Sequence, residues 1–143
     1  MSFLSSLNIS ASGMTAQRLR LDVVSENIAN IETTRTEVGT PYRRKLIKLE
    51  AKDDFRTAME RAESAGNTGG VRATQILEDE TDLKSVYNPT HPDANEEGYV
   101  MMPNVDLVQE TADAMAATRA YEANVTAFNT VKAMAQKALE IGK

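Results

Sequence analysis

The sequence predicts a mainly α-helical chain. Long N- and C-terminal helices pair as an antiparallel coiled coil, with a small β-hairpin-type appendage between them. Three observations carry this. Apolar side chains recur at intervals of seven near both ends, and both end segments lack internal proline. The β-branched runs and the Asn-Pro and Gly-Gly signals fall in the middle. The boundaries that follow are 1–34 for the first helix, 35–102 for a linker and the β appendage with a flexible loop, and 103–143 for the last helix.

The first helix runs from about Ser5 to Ile31 with one glycine, Gly13. Leu7, Met14, Leu21 and Ile28 recur every seventh residue, and Val24 and Ile31 fall three residues after Leu21 and Ile28. At 1.5 Å per residue the helix is roughly 40 Å long. Thr33, Thr34 and Gly39-Thr40-Pro41 end it. Asn27 and Asn30 are expected to shape its exit, because asparagine tolerates left-handed turns.

The middle is short and mixed. Tyr42 to Leu49 reads as a strand, and Asp53 to Glu63 as a short helix or an irregular charged segment. Asn67-Thr68-Gly69-Gly70 reads as a turn. Val71 to Glu78 and Leu83 to Tyr87 read as strands, with Gly98 to Met102 as a third piece. Asn88-Pro89 and His91-Pro92 mark loops.

The last helix runs from about Asn104 to Ile141, after Pro103. Asp106 and Gln109 have capping-box spacing, with Asn104 as an alternative cap. Leu107, Ala114, Tyr121, Phe128 and Ala135 recur at seven, with Val125 and Leu139 on an adjacent row, and Gly142 is a natural stop. The stripe is narrow and alanine-rich. It permits close helix approach but buries little area per residue, so the helix needs a partner to stay ordered in water. Patterning allows a monomeric helical hairpin or a helical layer that polymerises.

Composition excludes several function classes. Without cysteine there is no disulfide, thiolate nucleophile or zinc–sulfur site, and one histidine leaves no His-rich metal shell. A net charge of -5 argues against nucleic acid, which needs a basic stripe. No apolar run is long enough for membrane insertion, and no basic residue precedes Arg18, so a Sec-type signal is missing. On that ground alone the chain would be cytoplasmic. Aromatic residues make up only 5% of its 143 residues, so a lone globule would be marginal. No catalytic, cofactor-binding or metal residue is assigned.

Specific strings go further. Ser10-Ala11-Ser12-Gly13-Met14 leads into Arg20-Leu21-Asp22-Val23-Val24-Ser25-Glu26-Asn27-Ile28-Ala29-Asn30, then Thr33, Thr34 and Pro41-Tyr42-Arg43. Later come Asn88-Pro89-Thr90-His91-Pro92-Asp93-Ala94-Asn95, Gly98-Tyr99-Val100 and Met102-Pro103-Asn104-Val105-Asp106. The last string is Arg119-Ala120-Tyr121-Glu122-Ala123-Asn124-Val125, followed by Asn129 and Lys132-Ala133-Met134. Over nearly the whole chain these resemble the bacterial flagellar rod and hook proteins, and among them the proximal-rod type. The family-motif positions are Asn27, Asn30, Tyr42, Pro103, Asn104, Asp106, Arg119 and Asn124. One departure is the stretch Asp53 to Gly70, longer and more charged than the usual compact linker.

The resemblance implies a structural subunit of the rod, the drive shaft between membrane ring and hook. It implies export through the flagellar type III apparatus without a cleaved signal peptide, to a basal-body rod in the periplasmic space. The implied partners are other rod proteins, further copies of the chain itself, and membrane-ring and export-gate components at the rod base. No cofactor is implied. Phe3 and Leu7 have the Phe-x-x-x-apolar form of an export-recognition element. The residues expected to pack between subunits are Leu7, Met14, Leu21, Val24, Ile28, Tyr121, Val125, Phe128 and Leu139.

Other readings are weighed beside this one. One is another rod or hook paralogue. Another is a calcium-responsive helical module, since Asp93, Asn95, Glu97 and Gly98 match positions one, three, five and six of an EF-hand loop, although Asn104 would stand at the twelfth. Arg35, Arg43, Arg44, Lys45, Lys48 and Lys52 concentrate positive charge, and Asp79, Glu80, Asp82, Asp93, Glu96 and Glu97 negative charge. These clusters are expected to be either solvated faces or complementary interfaces between subunits.

Overall fold

A computed structural model describes residues 3–52 and 69–141. In chain order it holds α1 (Phe3–Ala29), β1 (Lys45–Ala51), β2 (Val71–Glu78), β3 (Lys84–Tyr87), β4 (Tyr99–Met102) and α2 (Leu107–Ile141). The chain is mainly helical with a β appendage between the helices. The expected helix or charged segment at Asp53 to Glu63, and the Asn67-Thr68 part of the expected turn, lie outside the described residues.

The two helices, of 27 and 35 residues, pack on each other. Gly13 meets Asn124, Arg20 meets Asp113 and Asn27 meets Glu110, so rising numbers on α1 meet falling numbers on α2. The seam does not centre on the rows of large apolar residues. Its most buried positions are Ser10, Ala16, Val23, Val24 and Asn27 on α1, and Glu110 and Ala117 on α2. The Leu7–Met14–Leu21–Ile28 row is half-buried beside that centre, and Leu107 and Tyr121 are exposed. The reason is steric. Gly13 lies directly against Asn124, and the small Ala16 and Ala117 are buried on the same seam, so the Leu7–Met14–Leu21–Ile28 row falls to its flank. A Cβ on Gly13 would stand 2.7 Å from the Asn124 side-chain oxygen.

β1 and β2 pair antiparallel from Lys45↔Glu78 to Ala51↔Val71, with an irregularity between Lys48 and Leu49. An isolated two-stranded ribbon is marginal in water, and this one leans on α1. The Asn27 amide bonds both the N–H and the C=O of Lys45, and the Ser12 hydroxyl accepts the Val71 N–H at 3.0 Å. β3 and β4 form a second ribbon, from Lys84↔Met102 to Tyr87↔Tyr99. The appendage is therefore two separate hairpins. Tyr42 lies ahead of β1 rather than in it, because its ring is buried at the end of α1. In the 88–98 loop Asn95 Oδ1 accepts the N–H groups of Glu97 and Tyr99. Gly98 follows with φ +82°, and a Cβ there would stand 2.9 Å from the Tyr87 ring.

Asn30 shapes the helix exit as expected, but the expected reason, a left-handed turn, is corrected for it and for Asn27. Among the described residues no residue other than glycine has positive φ, so neither Asn27 nor Asn30 supplies a left-handed turn. Asn27 lies inside α1. Asn30 closes the helix by donating to Glu26 O at 2.9 Å and accepting from the Thr33 hydroxyl at 3.1 Å. At the start of α2 the cap is Asp106, whose carboxylate accepts the Val108 N–H at 2.9 Å. Asn104, the alternative, is held elsewhere: its Oδ1 accepts the Arg44 N–H and its Nδ2 donates to Asp79 O and to Thr81.

Candidate functional site

The end of α1, the start of α2 and the entry to β1 converge on a cluster of polar groups. Asn27 is 1% exposed and uses its full hydrogen-bonding capacity. Its Oδ1 accepts from the Tyr42 hydroxyl and from Lys45 N–H, each at 2.9 Å. Its Nδ2 donates to Lys45 O and to Glu110 Oε2, each at 3.0 Å. Glu110 is 0% exposed, and its second oxygen accepts from Arg44 Nε at 2.5 Å. The Arg44 guanidinium also reaches Asp113 at 3.2 Å and Asp79 at 3.8 Å, and Arg20 donates to Asp113 at 2.8 Å. Removing a carboxylate from water costs several kcal/mol, so a buried Glu110 is tolerable only with this guanidinium and amide against it. Val23, Val24, Leu46, Ile47 and Leu49 wall a hollow of about 260 Å³ beside the cluster.

The surroundings shift two groups. Burial pushes the Tyr42 phenol up to about 12, and the carboxylates of Glu26, Glu110 and Glu78 add to it. Asp79 is held below the usual carboxylate range, first by the Thr81 N–H that donates to it at 3.0 Å and then by Arg44 and Arg43 nearby. The Lys45 ammonium pairs with Glu26 and sits 5.6 Å from the centre of the Tyr42 ring.

The two charge clusters thus meet partly inside the chain. Arg44 reaches Asp79, Arg35 pairs with Asp93 at 2.7 Å, and Arg43 donates to Asp79 O and Thr81 O. Those pairs form within the chain. They tie the chain after α1 to the segments flanking β3 and β4. The same pairing answers the calcium reading. Asp93 gives one oxygen to Arg35 and the other to the Thr34 hydroxyl, and Asn95 spends its oxygen on two backbone N–H groups. His91 accepts the Asp93 N–H at Nδ1 within its own loop. Among the described residues no group of three metal-ligating side chains is placed to hold an ion, and no helix is long and apolar enough to cross a membrane.

The structure brings three motif residues, Asn27, Tyr42 and Asn104, into one cluster. Pro103 is buried next to it, Asp106 caps α2, and Asn124 lies farther along the seam against Gly13. Arg119 is exposed on α2. Of the expected packing residues, Val24 is buried within the chain. Leu7, Met14, Leu21, Ile28, Val125 and Phe128 are half-buried, Tyr121 and Leu139 are exposed, and Phe3 is exposed at the start of α1. Sequence reasoning missed Glu110, Asp113, Arg20 and Ser12. A usable signal existed: Arg20 and Asn27 stand seven apart on α1, and Glu110 and Asp113 three apart on α2, so each pair shares a helix face.

The junction engages its polar groups with one another, on a two-helix frame with apolar side chains left outside. Comparison with known proteins gives the class. Residues 7–35 match the family described as flagella basal body rod protein, and residues 96–141 match the flagellar basal body rod FlgEFG protein C-terminal family. The flagellar basal-body rod protein FlgC of Bacillus subtilis is 51% identical across 96% of this chain and 97% of its own length. That of Borreliella burgdorferi is 43% identical, covering 99% and 98%, and that of Escherichia coli O6:H1 is 38% identical over all of both chains. The chain belongs to the FlgC family of flagellar basal-body rod proteins.

Proposed function

We propose that this chain builds the proximal rod of the flagellum by pairing its terminal helices as an antiparallel coiled coil and polymerising through their open apolar sides. As a FlgC-type protein it is a structural subunit of the rod in the flagellar basal body, and it assembles with other rod components. The finer reading adds torque transmission from the membrane ring to the distal rod and hook. It adds a periplasmic position reached through the flagellar type III apparatus, with further copies, membrane-ring and export-gate components as neighbours. Phe3 and Leu7 are the proposed recognition element for that route.

One observation carries the polymerising part. Gly13 lies against Asn124, so with opposite helix directions Phe3 falls about level with Met134, and α2 runs on for roughly 10 Å to Ile141. That end carries Phe3, Leu4, Met134, Leu139 and Ile141 exposed, with Leu139 at 75% and Ile141 at 86%. Such a patch on a single chain marks an interaction surface. Val108 and Met115 extend exposed apolar surface along α2. Leu139 and Tyr121 are therefore the stronger inter-subunit positions of the expected set, and Val24 is used within the chain.

The test is deletion of the gene in its bacterium, scored by motility and by electron microscopy of isolated basal bodies. Membrane rings without rods are expected. Intact rods in the deletion strain would refute the assignment.

A further inference from the structure

The second hairpin turns one apolar face to solvent. Strand alternation puts Val86, Val100 and Met102 on one side of β3–β4, and Tyr87, Tyr99 and Met101 on the other. Val100 is buried, whereas Tyr87, Tyr99 and Met101 are all exposed, and the two tyrosine rings meet edge to face at 5.3 Å. Beside Tyr99 and Met101 lies an open groove of about 380 Å³, walled also by Pro41, Leu83, Pro92 and Ala94. Tyrosine and methionine are residues that protein interfaces concentrate. The segments bordering the groove carry exposed carboxylates at Glu37, Asp82, Glu96 and Glu97. The cations of the same segments are engaged within the chain. Arg35 pairs with Asp93, Arg43 donates to Asp79 O and Thr81 O, and Lys84 donates to Val105 O at 2.7 Å. The surface is apolar at its centre and acidic around it.

The far end of α2 carries the complement. Thr130, Met134, Lys137 and Ile141 are spaced four, three and four apart, so they share one helix face. All four are exposed, on a face distinct from that of the half-buried Phe128, Val131 and Ala135. Arg119, Ala123 and Thr126 continue the row toward the start of α2, so it holds two cations and no carboxylate. Lys137 pairs along the helix with Glu140 at 2.7 Å, an exposed pair that contributes little. The hairpin adjoins the start of α2 and this face its end, roughly 50 Å away, so one chain cannot bring the two together. We propose that the Met134–Lys137–Ile141 face of one copy docks on the Tyr87–Tyr99–Met101 face of a second copy, with Lys137 against the acidic border. Helix anchors at i, i+3 and i+7 are the pattern that apolar grooves take, and opposite charge at the rim sets partner and orientation. The two surfaces differ, so the contact is heterologous and repeats from copy to copy instead of closing at a pair. The inference rests on the polymerisation proposed above and names two surfaces that would carry it.

The chain has no cysteine, so introduced thiols report the contact directly. The full-length chain with Met101→Cys and Ile141→Cys is expressed in the deletion strain, and isolated basal bodies are treated with a short bismaleimide. The expected products are covalent dimers and larger oligomers of this chain that neither single-cysteine variant forms. Motile cells without the 101–141 product would overturn the docking and leave the polymerisation reading standing. Rods retained in the deletion strain itself would instead remove that reading. A dimer from Met101→Cys alone, or a product joining this chain to a different rod protein in place of a second copy, would also overturn the docking. A charge exchange decides the matter where the paired-cysteine chain does not assemble. Lys137→Glu should lower the recovery of rods about fivefold, and adding Glu96→Lys with Glu97→Lys in the same chain should restore it to within about twofold. Unchanged recovery in Lys137→Glu, or no rescue by the exchanged charges, would overturn the proposal.

Discussion

Asn27→Ala is the sharpest test of the junction. The side chain makes four hydrogen bonds: one to the Tyr42 hydroxyl, two to the backbone of Lys45 and one to Glu110. A neutral hydrogen bond contributes about 1 kcal/mol net, and one to a charged group about 1.5–3 kcal/mol. The gross loss is then about 4–6 kcal/mol. Alanine's better helix propensity returns about 0.5 kcal/mol, and water entering the truncated site re-solvates part of Lys45 and Tyr42. The expected net cost is about 3–4 kcal/mol, a large share of the roughly 5–15 kcal/mol that stabilises a domain. In urea, with a slope of about 2 kcal/mol per molar, the midpoint seen at 222 nm should fall by roughly 1.5–2 M. Asn30→Ala is the control, because that side chain bonds only Glu26 O and the Thr33 hydroxyl beside it. It should cost under about 1 kcal/mol. Asn27→Asp should be at least as damaging as Asn27→Ala near neutral pH, since it sets a second carboxylate against Glu110, and acid should partly relieve it. An Asn27→Ala midpoint within about 0.5 M of the unaltered chain, or an equal loss in Asn30→Ala, would refute the reasoning.

Three further outcomes follow from the same geometry. The Tyr42 phenol is raised to about 12 from 10.0, so the folded chain keeps a proton that the unfolded chain releases in that interval. Stability should be independent of this group below pH 10 and fall by at most about 1.4 kcal/mol per unit from there to its folded value; urea titrations of Tyr42→Phe should lack that alkaline slope. Gly98→Ala places a Cβ at φ +82° and against the Tyr87 ring, so the β3–β4 hairpin should lose about 1–3 kcal/mol, visible as faster amide exchange at Val86 and Val100. Leu139→Ser with Ile141→Ser should leave the monomer's melting temperature nearly unchanged, because both side chains are exposed, yet reduce motility and rod recovery by complementation; normal motility would remove the overhang from the assembly surface.

How much of this was legible depended on whether the information was local. Both long helices and the β2 boundaries, Val71 to Glu78, could be read because period and punctuation lie within a few residues of each other. The centre of the helix seam could not. Heptad reading weights large apolar residues, and here Gly13 lies against Asn124 and Ala16 and Ala117 are buried, with Leu107 left outside. Glu110 was opaque for a different reason. An acid in the first turn of a helix reads as a solvated partner of the helix dipole. What buries it is Arg44, 66 residues away, and a separation of that kind leaves no periodic trace.

Asn27 shows why finding a residue differs from explaining it. It stood out as part of a motif, and the local explanation was a left-handed turn. The observed φ is not left-handed, and the residue lies within α1. Asparagine is required there because it alone among short side chains presents a two-lone-pair acceptor and a two-hydrogen donor side by side. Lys45 offers its backbone N–H and C=O together, and the amide bonds both as a neighbouring strand would, while its remaining donor and acceptor reach Glu110 and Tyr42. Serine would lack the second donor, and aspartate would meet Glu110 with like charge. The residue type is thus dictated jointly by α1, β1 and α2, and each contributes a demand that the other two segments cannot reveal.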